Sequence, residues 1–160
     1  MKEIFLKAVN QWLPLASLPV KNLTDQHLLA EHREIKRVPN YYKPGKVENV
    51  PAEFKLGTGS VRFFLDKGRF LLSRYKEIHE ECLVRGFNVT DYSGSWNEWA
   101  KNKLTFNDYI PSDNDRQLLL ERISIRISES EQTPRYYRKP IAKEDAIKLL
   151  RLPRPTVPLT

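Results

Sequence analysis

Cysteine is the scarcest informative residue: Cys82 stands alone in 160 residues. An internal disulfide is therefore excluded, and so is a cysteine-built zinc cluster. Cys82 lies in an apolar-periodic run and reads as a small core residue rather than a nucleophile. No apolar run approaches the roughly 20 residues of a membrane span, so no membrane partner is expected. The opening stretch MKEIFLKAVNQWLPLASLPV is interrupted by Glu3, Asn10, Gln11, Pro14 and Pro19, which argues against a secretion signal. The three histidines, His27, His32 and His79, have no metal-ligand spacing and read as core or hydrogen-bonding groups. Gly57-Thr58-Gly59 lacks the lysine and spacing of a phosphate loop. No serine- or cysteine-based triad signature is present, and neither a metal nor a diffusible cofactor is expected.

What the chain does have is positive charge. Its formal net charge is +7, and 40% of its residues are hydrophobic. The size suits one domain with a real core. The charge favours an anionic partner, nucleic acid ahead of an acidic membrane surface. A reducing, intracellular setting (cytoplasm or nucleoid) fits the cysteine usage.

Hydrophobic spacing predicts a mainly α, compact single domain of three principal helices with long irregular loops. Residues 1–22 read as an N-terminal arm, with a short helix possible over 2–12. Residues 23–141 read as the body, and 142–160 as a short helix followed by a disordered, proline-rich tail. Thr24 or Asp25 caps a first helix reaching about Arg37, with Leu28 and Ile35 facing the core and Pro39 ending it. Residues 39–57 read as a loop. Residues 59–85 read as one long helix with core positions Phe64, Leu71, Tyr75, Ile78 and Cys82, weakened at Gly68 and stopped by Gly86. A third helix opens at Ser112 or Asp113 and runs to about Ser130 with Leu119, Ile123 and Ile127 buried. The alternation ISIRIS over 123–128 also fits a strand.

Three constellations could carry chemistry. Arg33, Glu34 and Arg37 share a polar face of the first helix. A carboxylate between guanidiniums can stabilise a sugar cation or take a proton from carbon, while the arginines hold phosphates. The plainer alternative is a surface salt-bridge helix. TPRYYRKP (133–140) interleaves Arg135, Arg138 and Lys139 with Tyr136 and Tyr137, which suits phosphates and bases. The alternative is a segment whose tyrosines pack on the body. Arg116, Arg122 and Arg126 could extend a positive surface, or simply line a solvated helix face.

The stretches LTDQHLLAEHREIKRV (23–38), GTGSVRFFLDKGRFLLSRYKEIHEECLVRGFNV (57–89), DYIP (108–111) and PRYYRKPI (134–141) give the chain a family likeness. It resembles the phage endonuclease V family of pyrimidine-dimer DNA glycosylases. The resemblance implies excision of bases at cyclobutane pyrimidine dimers in double-stranded DNA, coupled to β-lyase cleavage through an amine Schiff base. It implies kinked DNA, with a base opposite the lesion turned out of the stack. It places the catalytic glutamate on Glu34. DNA contacts are expected from His27, Arg33, Arg37, Arg122, Arg126, Arg135, Tyr136, Tyr137, Arg138 and Lys139. A monomer is expected, and a phage-encoded origin is compatible.

The chain departs from the family at its start. The family's nucleophile is the α-amine of an N-terminal threonine a short, fixed distance before the DQHL motif. Here the segment ahead of that motif is longer, and threonine is absent from the arm, residues 1–22. The candidate amines are those of Met1, Lys2 and Lys7; an α-amine near pKa 8 is better placed to attack than a lysine near 10.4. A mature start further along the chain is the other way to supply one. An inert arm would instead leave a monofunctional or non-catalytic DNA-binding relative. His32 also replaces a tyrosine usual in that helix.

Overall fold

The computed structural model describes residues 17–54 and 60–153. The arm's candidate helix, the amines of Met1, Lys2 and Lys7, and the tail from 154 onward lie outside the described residues. The fold is mainly α; the described residues form three long helices, several short ones and one two-stranded hairpin.

Helix α1 spans Asp25–Glu34, and Thr24 caps it by accepting the His27 backbone N–H. That satisfies one of the four donors that a helix start leaves open. Leu28 and the following Ile35 are fully buried, as their spacing predicts. The helix breaks at Ile35 and Lys36, however, and not at Pro39. A short helix α2, Arg37–Tyr41, follows, with Pro39 buried in its first turn. A first-turn residue needs no intrahelical N–H donor, so proline is tolerated there.

The single helix expected over 59–85 is two helices: α3, Ser60–Phe63, and α4, Gly68–Val84. The reason lies at Gly68. A Cβ on it would stand 2.6 Å from Phe106 and 2.7 Å from Trp99. The glycine is thus a point of close approach, where its N–H donates to the Thr105 carbonyl at 3.2 Å. The intervening turn sends Phe64 and Leu65 into the core. At the far end Gly86 adopts φ +86°, and the N–H groups of Gly86 and Phe87 donate to the carbonyls of Leu83 and Cys82. This is the Schellman closure expected of a glycine stop.

A helical turn at Ser93–Trp96 leads into the short α5, Asn97–Ala100, which buries Trp96 and Trp99. Helix α6 spans Asp113–Glu129 and starts with a reciprocal cap between Ser112 and Asp115. ISIRIS is helical: Ile123 and Ile127 are buried while Ile125 is exposed. A strand would have put all three on one face. Strands β1, Arg135–Tyr136, and β2, Lys139–Pro140, pair antiparallel, Arg135 with Pro140 and Tyr136 with Lys139. The last helix among the described residues, α7, Lys143–Leu150, sends Ala146 and Leu150 into the common core.

That core joins Leu28 and Ile35 of the α1 segment, Leu71, Tyr75, Ile78 and Cys82 of α4, the two tryptophans, and Leu119, Ile123 and Ile127 of α6. Its consequence for the surface is direct. With one side of α1 buried, the opposite side, bearing Arg33 and Glu34, must face solvent.

Candidate active site and nucleic-acid interface

The three expected residues on α1 and α2 come together. Glu34 accepts from Arg33 Nε at 3.3 Å through one carboxylate oxygen and from Arg37 Nη1 at 3.2 Å through the other. The arginine side chains are 65% and 60% exposed, against 28% for Glu34. Among the described residues both partners of this carboxylate are guanidiniums, and both guanidiniums keep donors open to solvent. Such exposed pairs contribute little to stability, about 0–1 kcal/mol. They can be exchanged for phosphate contacts at small cost.

The neighbouring positions on α1 extend this face. His27 lies seven residues before Glu34, two turns away on the same side. Its Nδ1 sits 2.8 Å from Thr24 Oγ1. Burial first, and the charge of Arg126 second, lower the His27 pKa to about 4. Arg126 of α6 is thus near enough to the first turn of α1 for its charge to act on His27. Its own pKa is lowered by burial and by its neighbour Arg122. With the imidazole neutral, the positive charge here is that of Arg126 and its neighbour Arg122. Arg116 does not join them: it stands near the start of α6 and donates to the Leu152 carbonyl at 3.3 Å. It borders a cavity of about 690 Å³, lined also by Leu18, Phe70, Arg74 and Glu77.

The basic hairpin docks on the start of α1. Gln26 Nε2 donates to the Thr133 carbonyl at 2.8 Å, and Gln26 Oε1 accepts the Arg135 N–H at 3.0 Å. Gln26 and Arg33 are seven apart on α1, so the hairpin base is in line with Arg33. The turn residues Tyr137 and Arg138 have φ of +50° and +69°. Left-handed backbone costs a non-glycine residue about 1–2 kcal/mol. Asp25 holds the turn in place: its carboxylate accepts the Tyr137 N–H at 3.1 Å and the Arg138 N–H at 2.7 Å.

Asp25 is one corner of a buried ionic cluster. Arg85, whose side chain is fully buried, donates to Asp25 at 3.0 Å and to Glu81 at 3.2 Å. It also donates to the carbonyls of Val20, Lys21 and Leu23. Its guanidinium lies 4.9 Å and 4.6 Å from the rings of Tyr136 and Tyr137. Tyr137 donates to Glu81 at 2.6 Å, and Tyr136 to the Lys21 carbonyl at 2.9 Å. Burial alone would raise the Glu81 pKa, but the donors Tyr137, Lys21 and Arg85 outweigh it and hold the carboxyl low. The tyrosine hydroxyls are thus engaged with the protein body, while Arg135, Arg138 and Lys139 remain exposed.

A family model described as pyrimidine dimer DNA glycosylase matches residues 9–92. The chain belongs to the pyrimidine dimer DNA glycosylase family. The match covers α1, α2 and α4, and so includes Arg33, Glu34, Arg37 and the buried Arg85. It stops short of α6 and the hairpin, so the basic residues there are joined to the family core by the fold. Membership makes this a DNA repair glycosylase fold with DNA as its substrate class.

His32 Nε2 lies 3.0 Å from His79 Nδ1 and 3.2 Å from the Tyr75 hydroxyl, with the Tyr92 ring 5.3 Å away. Burial, then the neighbouring His79, pushes the His32 pKa down to about 4. The side chain is a buried polar link between α1 and α4, on the side of α1 away from Glu34. Among the described residues no group of three or more His, Cys, Asp or Glu side chains is arranged to hold a metal. No described helix is long and apolar enough to cross a membrane.

Sequence reading missed Asp25, Gln26 and Arg85 as elements of this surface. Asp25 and Gln26 looked like ordinary first-turn helix residues. Their partners lie 60 to 113 positions away, a separation that no local spacing encodes.

Proposed function

We propose that this protein excises cyclobutane pyrimidine dimers from duplex DNA, with Glu34 as the acid–base carboxylate and an amine from the first residues of the chain as nucleophile. Family membership supports the substrate class. The observation that carries the residue assignment is Glu34 held between two solvent-facing guanidiniums on the exposed side of α1. Arg33 and Arg37 then bind phosphates flanking the lesion, and Arg122, Arg126, Arg135, Arg138 and Lys139 extend the contact along the strand. His27 supports that edge. Tyr136 and Tyr137 form the apolar flank beneath the basic hairpin.

The unprotonated amine of Met1, Lys2 or Lys7 attacks C1′. The C1′–N bond breaks, the base leaves with its electron pair and takes up a proton, and loss of the sugar-ring C–O bond yields the Schiff base. Glu34 then removes a proton from C2′. The electron pair forms the C2′–C3′ double bond, and the 3′ phosphate leaves. A nearby cationic surface favours the unprotonated amine before attack.

Nicking of ultraviolet-irradiated plasmid is the test. Wild-type protein should nick it and Glu34→Gln should lose the activity by about 10²–10⁴-fold, the usual share of a general base. Unchanged nicking by Glu34→Gln overturns the assignment. Borohydride reduction on abasic-site DNA should trap a covalent adduct, and mass spectrometry of the adduct locates the amine.

A second reading rests on the lack of threonine in residues 1–16. In it the chain binds DNA on the same fold without lyase chemistry. Salt-sensitive binding with neither nicking nor a trapped adduct distinguishes it.

A further inference from the structure

We propose that Asp25 is a positioning residue for DNA binding: its buried carboxylate latches the 135–140 hairpin so that Arg135, Arg138 and Lys139 meet the phosphate backbone as one rigid unit with Arg33 and Arg37. The inference rests on the DNA-binding reading above and deepens it.

Three observations carry it. First, the turn is one that its own residues do not favour. Two-residue hairpin turns with both φ values positive belong to Asn-Gly and Gly-Gly pairs. Here they are Tyr137 and Arg138, at +50° and +69°. Strained backbone persists only where its surroundings over-determine it, and such sites concentrate where geometry matters for function.

Second, the surroundings do over-determine it. Both strained N–H groups donate to Asp25, at 3.1 and 2.7 Å. Arg135 Nη2 closes the turn from within by donating to the Arg138 carbonyl at 2.7 Å. Asp25 in turn is anchored by Arg85. Two lone pairs on each carboxylate oxygen allow this; an amide has one acceptor oxygen and would set its NH₂ against an N–H or a guanidinium.

Third, the latch is the first residue of the helix that carries Glu34. α1 is ten residues long, a rise of about 15 Å. One rigid element therefore has the basic hairpin fixed to its start and Arg33 and Glu34 at its end, where Glu34 holds Arg37 of α2 at 3.2 Å. Arg138 also passes close over Gly86, where an added Cβ would lie 3.2 Å from its Nη1, so the glycine keeps the path of that side chain open. A loose hairpin would have to be ordered during DNA binding, whereas a latched one is ordered beforehand.

The measurement is the salt dependence of binding to a short undamaged duplex by the full chain. Each phosphate contact contributes about 0.9 to the slope of log K against log salt. Asp25→Asn should retain a cooperative thermal transition yet lose about 1–3 from that slope. The triple exchange Arg135→Ala, Arg138→Ala and Lys139→Ala, on exposed positions, should give the same loss. Combining it with Asp25→Asn should give no further loss, because the latch acts only through those three side chains. A parental slope in folded Asp25→Asn, or losses that add, overturns the proposal. Should Asp25→Asn fail to melt cooperatively, Gln26→Ala carries the test from the half-buried side of the same joint: a reduced slope supports the latch and a parental slope overturns it. A parent chain whose binding shows no salt dependence overturns the DNA-binding reading and the latch with it.

Discussion

Two clusters of arginine and carboxylate sit at opposite ends of α1, built from the same chemical groups. At one end Glu34 meets Arg33 and Arg37 in the open; at the other Asp25 and Glu81 meet Arg85 out of reach of water. The distances are nearly equal, 3.0 to 3.3 Å. Burial separates their roles. In water a guanidinium–carboxylate contact is worth little and is readily exchanged for a substrate phosphate. Sealed from water, the same contact cannot be given up without stranding a charge. The exposed cluster is therefore suited to chemistry, and the buried one to holding residues 20–25 and the 135–140 hairpin in place.

The largest expected effect comes from removing the buried cation. Arg85→Ala leaves Asp25 and Glu81 without their shared partner and should destabilise the fold by about 3–5 kcal/mol, read by chemical denaturation. A loss below about 1 kcal/mol would mean that water enters the cluster and that the contrast with the exposed group fails.

The buried polar link at His32 gives the next effect. Its folded pKa is about 4, against an ordinary 6.5. As pH falls, the unfolded chain takes up its proton first, so stability is complete above about pH 6.5 and declines toward pH 4. The loss should be about 1–3 kcal/mol, shared with His27, whose pKa is lowered in the same direction. His32→Gln should flatten the acid limb of the stability curve; an unchanged limb would show that the imidazole is not buried in its neutral form.

Cys82 reports on the same interior. Burial pushes its pKa up to about 11, so thiolate is scarce and the side chain enclosed. A thiol reagent should label it only through opening of the fold, and faster in Arg85→Ala than in the parent.

The smallest stability effects belong to the exposed cluster. Arg33→Ala, Arg37→Ala and Glu34→Gln should each change folding stability by no more than about 0.5–1 kcal/mol. Each arginine exchange should nevertheless lower the salt slope of DNA binding by about 0.9. Losses of several kcal/mol in these variants would erase the distinction between the two clusters.

Much of this was legible in the chain. The three long helices, the buried positions Leu28, Tyr75, Ile78, Cys82, Ile123 and Ile127, the glycine stop at Gly86 and the convergence of Arg33, Glu34 and Arg37 all follow from spacing within a few turns. The misreadings share one cause. Pro39 looked like a helix end and Gly68 like a weak interior residue because each was judged against its neighbours along the chain. Proline in fact enters a new first turn, and Gly68 marks where Trp99 and Phe106 press against α4. The 133–140 segment was seen as basic and aromatic, but not as a hairpin latched through Asp25.

By itself the sequence determined which residues form helices, which faces turn inward, that the surface is positive, and which family the chain resembles. These are properties of period and composition, set by contacts a few positions apart. Only the tertiary structure decided which charges are open and which are sealed, because that depends on partners 60 or more positions away. Arg33 and Arg85 are the same amino acid at two positions; water reaches one and not the other.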